Sequence, residues 1–526
     1  MSHRPKHSAL ASIPGLNRSG GRQDRLSSII AKGYPYSRHL VGHESCINAL
    51  TFSSGDGRFL ASGGDDLNIL LWDFHQEDLR APACSLRGPR GNIFSLAFSA
   101  TNRYLYSGGT DETILKYDIE HIASSLDSLS TASPNYTFRD HDDTIRAVSC
   151  HPYQDEVFLS AGQDGRILNH DGRASNRSTR AQDTLQLSTE ATCVQFHPVM
   201  EHIFVTSDNH GVVCLRDTRM AFGPLTTRTR QGIVQTYNTK LSRKANNHLS
   251  NPETSSVTFD KNGTKLAVTM LHYYPTVYGL SDSNPLAVCS GRNLPDGTPV
   301  STNERSYSNS CTIKHGSFGS ADLDSHDLYS AGSEDFRGYV WKIPSPAELQ
   351  EQRIEVSYDD WTSREWPNTI AFAEGIDKPR YIPVDLATPL CRLTGHKSIV
   401  NSVVFHPHLL HIVTSGVERD IVLHSPTPSS PCCAKLELTP TEVRSLGVDE
   451  QEDRIVYFRA LAGFGMLLEN EDSERATIMM FDHILREEGE VDVFSVRRWS
   501  GGSDSSDSEE EDEDDDDDEI EMDHGI

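Results

Sequence analysis

Four residue types recur along this chain at spacings that could do chemistry: a histidine, a hydroxyl residue, a turn carboxylate and, six positions later, an aromatic or polar residue. His43, Ser62, Asp66 and Trp72 make the fullest set. His141, Ser160 and Asp164 repeat it with His170 in the last place, and His396, Thr414 and Glu418 repeat it with His424. Ser107 and Asp111 precede Tyr117, and Asp335 precedes Trp341. Two further copies keep the spacing and lose the acid, His210 to Arg216 and His272 to Tyr278, which makes seven. All these side chains donate or accept hydrogen bonds. Catalytic grammar is missing: there is no Walker loop, no GxGxxG after a strand, no HExxH and no GxSxG elbow. The other histidines lack metal-ligand spacing, so neither a metal nor a cofactor is expected. The reading is of a non-enzyme.

The elements that hold these residues are short strands. Ile47-Asn-Ala-Leu-Thr-Phe52, Ile93 to Phe98, Ile145 to Cys150 and Val400 to Phe405 alternate or nearly so, and His-Pro turns follow at 151–152, 197–198 and 406–407. Gly42-His43, Asp140-His141 and Gly395-His396 open three copies. This grammar resembles the WD-repeat family. In a WD blade the His, Ser/Thr, Asp and Trp form a hydrogen-bonded chain tying one small sheet together, and the blades stack in a ring because none buries its faces alone. The expected fold is therefore an all-β, seven-bladed WD-repeat β-propeller over 39–426, with an insertion at 343–388. Blades four and five lack the opening His and the turn acid, so packing is expected to hold them. His39-Leu-Val41 has no blade of its own and should complete the seventh, removing the free edges.

Charge and cysteine content narrow the setting. The net charge is −28, but 15 acids and no Lys or Arg lie between Asp504 and Asp523, leaving about −13 elsewhere. That balance argues against direct sequence-specific nucleic-acid binding. Ten cysteines show no CxxC pair, which points to reduced thiols in the nucleus or cytoplasm. The first thirty residues hold no apolar h-region, and no apolar run approaches a membrane span, so no membrane partner is expected.

A closer resemblance emerges when the blades are taken in order. Leu40-Val-Gly-His-Glu-Ser-Cys-Ile-Asn-Ala-Leu, Asn92-Ile-Phe-Ser-Leu-Ala-Phe, Gly395-His-Lys-Ser-Ile-Val-Asn-Ser-Val-Val-Phe-His-Pro and Ser415-Gly-Val-Glu418 are similar to the substrate receptors of cullin-4 RING ubiquitin ligases, the adaptor- and cullin-4-associated factors, and to their fifth-named kind. The resemblance implies docking on the ligase adaptor, the large damage-specific DNA-binding subunit, through a D-x-R ending of the third strand. The matching positions are Asp171-Gly-Arg173 and Asp217-Thr-Arg219. On the rim, an Arg can reach a partner carboxylate, or pair only with the Asp of its own turn. The family's preceding Trp is replaced by His170 and Arg216. Related receptors also insert a helical N-terminal segment, for which Asp24 to Ile30 in the basic arm 1–38 is the candidate; a disordered arm is the alternative.

Other segments carry weaker signals. The insertion, with Trp361 and Trp366, is expected to emerge on the D-x-R rim. Arg228, Arg230, Lys240, Arg243 and Lys244 form a basic cluster at 228–244, either a solvated loop or a site for phosphate, an acidic substrate or the protein's own tail. In the C-terminal extension 427–500, residues 473–488 pattern as an amphipathic helix, expected to pack on the propeller. The tail 501–526 reads as disordered, with Ser506 and Ser508 each three residues before an acid and open to acidophilic phosphorylation. Two functions remain: a ligase substrate receptor with a protein substrate, or a chromatin scaffold whose acidic tail engages histones.

Overall fold

The computed structural model of this 526-residue chain describes residues 28–124, 130–173, 181–319, 327–446, 450–461, 470–489 and 491–495. Ser506, Ser508, the acidic tail and most of the basic arm lie outside the described residues.

Each alternating segment becomes the first strand of a small antiparallel sheet, and the run after its turn becomes a second strand that is buried along nearly all its length. In blade 1 the order is Ile47–Phe52, Phe59–Gly64, Ile69–Asp73 and Cys84–Leu86. The first strands of blades 2 to 7 are Ile93–Phe98, Ile145–Cys150, Ala191–Phe196, Thr254–Phe259, Ser317–Gly319 and Val400–Phe405. Successive first strands pack side by side, and Val400–Phe405 reaches back to Ile47–Phe52, so the seven sheets close into an all-β propeller. Apolar residues from adjacent sheets share clusters, such as Ala49 and Leu71 with Ile93 and Leu105. A blade therefore finds its hydrophobic partner in its neighbour.

Closure uses more chain than expected. Tyr36–Val41, reaching three residues into the basic arm, pairs antiparallel with Asp420–Ser425 and sets Leu40 opposite Ile421. Glu437–Leu438, from the extension, adds a fifth strand outside it. Upstream, Ile30 and Tyr34 are buried with Leu328, Val340 and Val400 of blades 6 and 7. The described end of the arm is thus part of the propeller.

The first strands share a less visible feature. In blades 1 to 5 and 7 the ladder skips one residue just after the strand starts: Asn48, Phe94, Arg146, Thr192, Ser255 and Asn401. Each bulge drives a carbonyl toward the end of the second strand. A Cβ on Gly64 would stand 1.9 Å from the Cys46 carbonyl oxygen, and on Gly109 1.8 Å from that of Asn92, which explains the Gly-Gly ends of those strands.

The insertion leaves blade 6 after Ile343, on the D-x-R rim, and then climbs the outside of blade 5. Arg353 there bonds Asp282 at 2.7 Å. Ile354–Val356, Ile370–Phe372 and Arg380–Ile382 join Leu241–Arg243 in an eighth sheet, and Val384–Asp385 runs parallel to Pro285–Val288 as a fifth strand of blade 5. Trp361, 3% exposed, stacks on Trp366 at 5.5 Å. These tryptophans build a buttress.

After the ring, the helix Asn470–Glu488 lies across the face opposite the D-x-R rim. Leu485 is buried beside Cys46, Phe336, Ile399 and Val417, and Phe481 packs against the same cluster. Arg444 holds Asp482 at 2.7 Å and Arg419 meets Glu474 at 3.2 Å. The helix Glu450–Leu461 packs on it, with Arg486 to Asp453 at 2.5 Å.

Because the closing strand buries Leu40 completely between blades 1 and 7, Leu40→Ala should cost about 2–5 kcal/mol. Its exposed neighbour makes the control: Val41→Ala should stay within about 0.5 kcal/mol in the same urea titration.

Candidate functional site

The recurring His, hydroxyl, acid and Trp positions meet as one chain in blade 1. His43 Nδ1 lies 2.9 Å from Asp66, His43 Nε2 lies 2.8 Å from Ser62 Oγ, and Trp72 Nε1 donates to the same oxygen at 2.9 Å. Burial works against a charged Asp66, but the His43 hydrogen bond, the charge of His43 and two backbone N–H groups hold its carboxyl below the usual range. In blade 3, His141 bridges Asp164 at 2.9 Å and Ser160 at 2.7 Å, and His170 Nε2 meets Ser160 Oγ at 2.8 Å. With His141 donating from Nδ1, Ser160 donates to His141 Nε2, and its oxygen accepts from His170 Nε2–H. A neutral histidine therefore does the work of the tryptophan N–H, and burial keeps it neutral by pushing its pKa down to about 3.

The other blades correct the sequence expectation in different ways. Glu418 stands 3.7 Å from His396 Nδ1, which has no hydrogen-bond partner among the described residues; its carboxylate takes the Lys397 and Ser398 backbone N–H groups instead. His396 to Thr414 at 2.6 Å and Thr414 to His424 at 2.9 Å survive. In blade 6 no chain forms. Trp341 Nε1 lacks a partner among the described residues, while Asp335 accepts from Tyr339 at 2.6 Å and Arg337 at 2.9 Å. The buried acid doing structural work there is Glu334, paired with wholly buried Lys314 at 3.3 Å and accepting backbone N–H groups of residues 310–312.

Blade 4 does carry a turn acid, two residues earlier than the spacing suggests. Asp208 accepts from Thr189 at 2.9 Å and from the His210 and Val212 backbones. Arg216 fills the Trp slot and donates from Nε to Thr206 at 2.9 Å. In blades 2 and 5 the slot tyrosines reach past the sheet: Tyr117 donates to the Arg87 carbonyl at 3.0 Å and Tyr278 to that of Asn238 at 2.9 Å. In blade 2, Asp111 caps its turn through Arg90 N at 2.9 Å.

Third strands end, and first strands turn, on the same rim of the ring. Here Arg173 forms a two-pronged contact with its own Asp171, Nε to Oδ1 at 2.8 Å and Nη2 to Oδ2 at 2.6 Å. Arg219 does the same with Asp217, at 3.1 and 2.6 Å. The Arg side chains remain 63% and 66% exposed, whereas Asp217 is 8% exposed. Each Arg holds its partner's carboxyl below its ordinary range. Tyr153, Val199, Met200 and Leu225 of blades 3 and 4 are all exposed, with Tyr153 Oη donating to the Val199 carbonyl at 2.8 Å. Sequence reasoning missed these exposed apolar residues, and also Arg58, which clasps Asp73 of blade 1 from just before the second strand at 3.2 and 3.0 Å. Tyr153, Val199 and Met200 do sit in the two His-Pro turns, which was the available signal.

In the basic cluster at 228–244, Arg230 and Lys240 are exposed and the other three are engaged within the fold. Arg228 bonds the Gly223, Thr184 and Ala181 carbonyls, and Lys244 meets the Arg364 carbonyl and Glu365. Arg243 grips Asp492 of the extension at 2.5 Å and covers the Phe494 ring at 4.4 Å.

Comparison with known proteins follows the same unevenness. The WD domain, G-beta repeat family matches residues 35–73, 80–118, 132–171 and 387–425, the four blades closest to the recurring pattern. Those four segments are WD repeats. The chain is similar to DDB1- and CUL4-associated factor 5 of Mus musculus, 29% identical over 476 residues, covering 89% of this chain and 41% of that protein. The Homo sapiens protein of the same name is also 29% identical, with 42% of it covered. WD and tetratricopeptide repeats protein 1 of Homo sapiens is 27% identical over 260 residues, 44% of this chain and 36% of that protein. The chain thus spans less than half the length of these relatives. WD-repeat blades outside the four matched segments are those whose tetrads are rebuilt with Arg216, Tyr278 and Glu334.

Burial of His170 in the Trp slot should make the ring acid-sensitive. Unfolded His170 binds its proton near 6.5, but the folded site binds it only near 3, so between those values the unfolded chain carries the extra proton. Stability is then complete above about 6.5 and falls on acidification through that window. His406, also pushed down to about 3 by burial, adds in the same direction. His170→Gln keeps a donor for Ser160 and cannot titrate, so its Tm should fall less than wild type between pH 7 and 5 in differential scanning calorimetry.

Proposed function

We propose that this chain is a non-catalytic substrate receptor of a cullin-4 RING ubiquitin ligase, working in the nucleus or cytoplasm. The ligase adaptor, the large damage-specific DNA-binding subunit, docks on the rim of blades 3 and 4, and a protein substrate is presented to the ligase core. The observation that carries this reading is the pair of clamped, exposed arginines, Arg173 and Arg219, on consecutive blades. Supporting it is likeness over 89% of the chain to a protein named for association with DDB1 and CUL4.

The physical logic lies in preorganisation. A free arginine loses rotamer freedom when it meets a partner carboxylate; one already held through Nε and Nη2 loses less. Its remaining N–H groups are then aimed by the turn and not by the partner. Tyr153, Val199, Met200 and Leu225 supply apolar area on the same two blades, the mixture that binding hot spots use. Trp is not required before the motif for this geometry: His170 and Arg216 both face inward and bond Ser160 and Thr206.

An Arg173→Ala/Arg219→Ala double variant should keep its Tm, because both side chains are surface-exposed, and should lose adaptor and cullin-4 in affinity capture by roughly tenfold or more. Absence of adaptor from the wild-type capture would sink the receptor reading. Histone capture that disappears on removing residues 501–526 would instead favour the chromatin scaffold.

A further inference from the structure

Past the third strand of blade 7 the chain makes a tight turn that brings two adjacent thiols against a histidine. Ser430 and Cys433 exchange backbone hydrogen bonds at 2.9 and 3.1 Å, and the Cys432 carbonyl accepts from the Leu79 N–H of blade 1 at 2.9 Å. Both cysteines are wholly buried, in the cluster that holds Leu40, Trp72 and Leu79. Their cover is thin: Pro428, Ser429, Pro431, Ala434 and Lys435 of the same turn are exposed. Short surface turns open at low free energy, so one local fluctuation brings these sulfurs to solvent.

Cys432 Sγ stands 3.6 Å from His411 Nε2 and 3.5 Å from Ser430 Oγ. His411 Nδ1 lies 3.3 Å from the His424 carbonyl, which can only accept, so Nδ1 is the donor and Nε2 faces the sulfur as the atom that takes its proton. A thiol, a base and a group that orients the base are the parts of an activated nucleophile. A hydrogen bond from the Cys433 thiol, assisted by His411 and Ser430, outweighs burial and holds the Cys432 thiol well below its ordinary range. Elsewhere burial prevails and pushes the thiols of Cys46, Cys193 and Cys391 up. It does the same to Cys150 and Cys311, the two half-buried cysteines.

We propose that Cys432 and Cys433 are a reactive dithiol that exchanges with small-molecule disulfides, with Cys432 as the nucleophile and His411 as its base. Cys432 Sγ gives its proton to His411 Nε2 and attacks one sulfur of the disulfide. The S–S bond breaks, and the departing thiolate takes the proton from His411. Cys433 Sγ then attacks the Cys432 sulfur of the mixed disulfide, and its own proton leaves with the second thiolate. The protein is oxidised by two electrons, and the small disulfide is reduced to two thiols. The ring that closes is strained. Consecutive Cα atoms stand about 3.8 Å apart across a trans peptide, below the roughly 4.4–6.8 Å of ordinary disulfides. Strain makes such a bond easily reduced, so the modification is reversible. Closing it also distorts the Ser430–Cys433 turn, and with it the hydrogen bond that ties Cys432 to Leu79. The site belongs to blades 7 and 1, away from Arg173 and Arg219, and stands whether or not the adaptor docks there.

The test is brief alkylation of the reduced full chain with iodoacetamide, mapped by peptide mass spectrometry. Cys432 should label faster than Cys150 and Cys311 by roughly tenfold or more, although those two are the more exposed. Labelling that follows exposure instead would overturn the proposal. His411→Gln should slow Cys432 labelling at neutral pH and move its pH profile upward, whereas a merely structural His411 would speed labelling on replacement by loosening the turn. Oxidised glutathione should remove two hydrogens from the mass of the chain, block Cys432 and Cys433 together and lower Tm, and dithiothreitol should reverse all three. Cys433→Ser should stop at a glutathione adduct on Cys432. Should either variant fail to fold, the wild-type masses decide alone: no loss of two hydrogens, or a disulfide mapped to any other cysteine, would equally sink the idea.

Discussion

The pairing of Tyr36–Val41 with Asp420–Ser425 is the constraint on which the rest of the molecule depends. It joins chain positions nearly four hundred residues apart, and every other inter-blade contact presupposes it. Small sheets with two apolar faces have no stable existence alone, and a ring open between blades 1 and 7 would expose Trp72, Ile421 and Leu423 together. Closure also leaves no unpaired strand edge inside the ring and fixes the channel bore. The bulges act at that bore, so the layer of skipped residues at its mouth exists only in the closed ring.

Within this frame the individual blades tolerate wide chemical variation. Blade 1 runs the complete hydrogen-bonded chain, blade 3 substitutes a neutral histidine for tryptophan, and blade 4 substitutes an arginine that still donates to the hydroxyl. Blades 2 and 5 send a tyrosine hydroxyl to a backbone carbonyl. The shared requirement is one donor in the third strand, reaching a buried acceptor. Blade 6 meets its needs otherwise, with the Lys314–Glu334 pair and a stack of Tyr329, Tyr339 and Trp341. Most buried polar groups are satisfied, and how they are satisfied differs from blade to blade.

The two faces of the ring carry different charges of responsibility. The rim with Arg173 and Arg219 is exposed, apolar in part and electrostatically preset. The opposite face is largely engaged by the chain's own C-terminal segment, through Leu485, Asp482 and Asp492. Arg228, Arg243 and Lys244 of the basic cluster are bonded within the fold, and the insertion braces blade 5. Composition alone cannot distinguish a cation that waits for a partner from one already bonded by a carbonyl across the fold.

Much of this was determined by local pattern. Strand alternation, turn chemistry and the six-residue interval specify seven sheets, the closing strand and the His43, Ser62, Asp66 and Trp72 chain, because each depends on residues close in sequence or on a repeat that names its partner. The acid of blade 4 was misplaced by two residues and Glu418 by one methylene, distances that a spacing rule cannot resolve but a hydrogen bond can. The course of the insertion, the pairing of Arg243 with Asp492, and the exposure of Tyr153, Val199, Met200 and Leu225 arose only from tertiary packing. So did the channel layer, because a bulge leaves the alternation almost intact. Only closure of the ring brings those skipped residues together at one mouth of the channel.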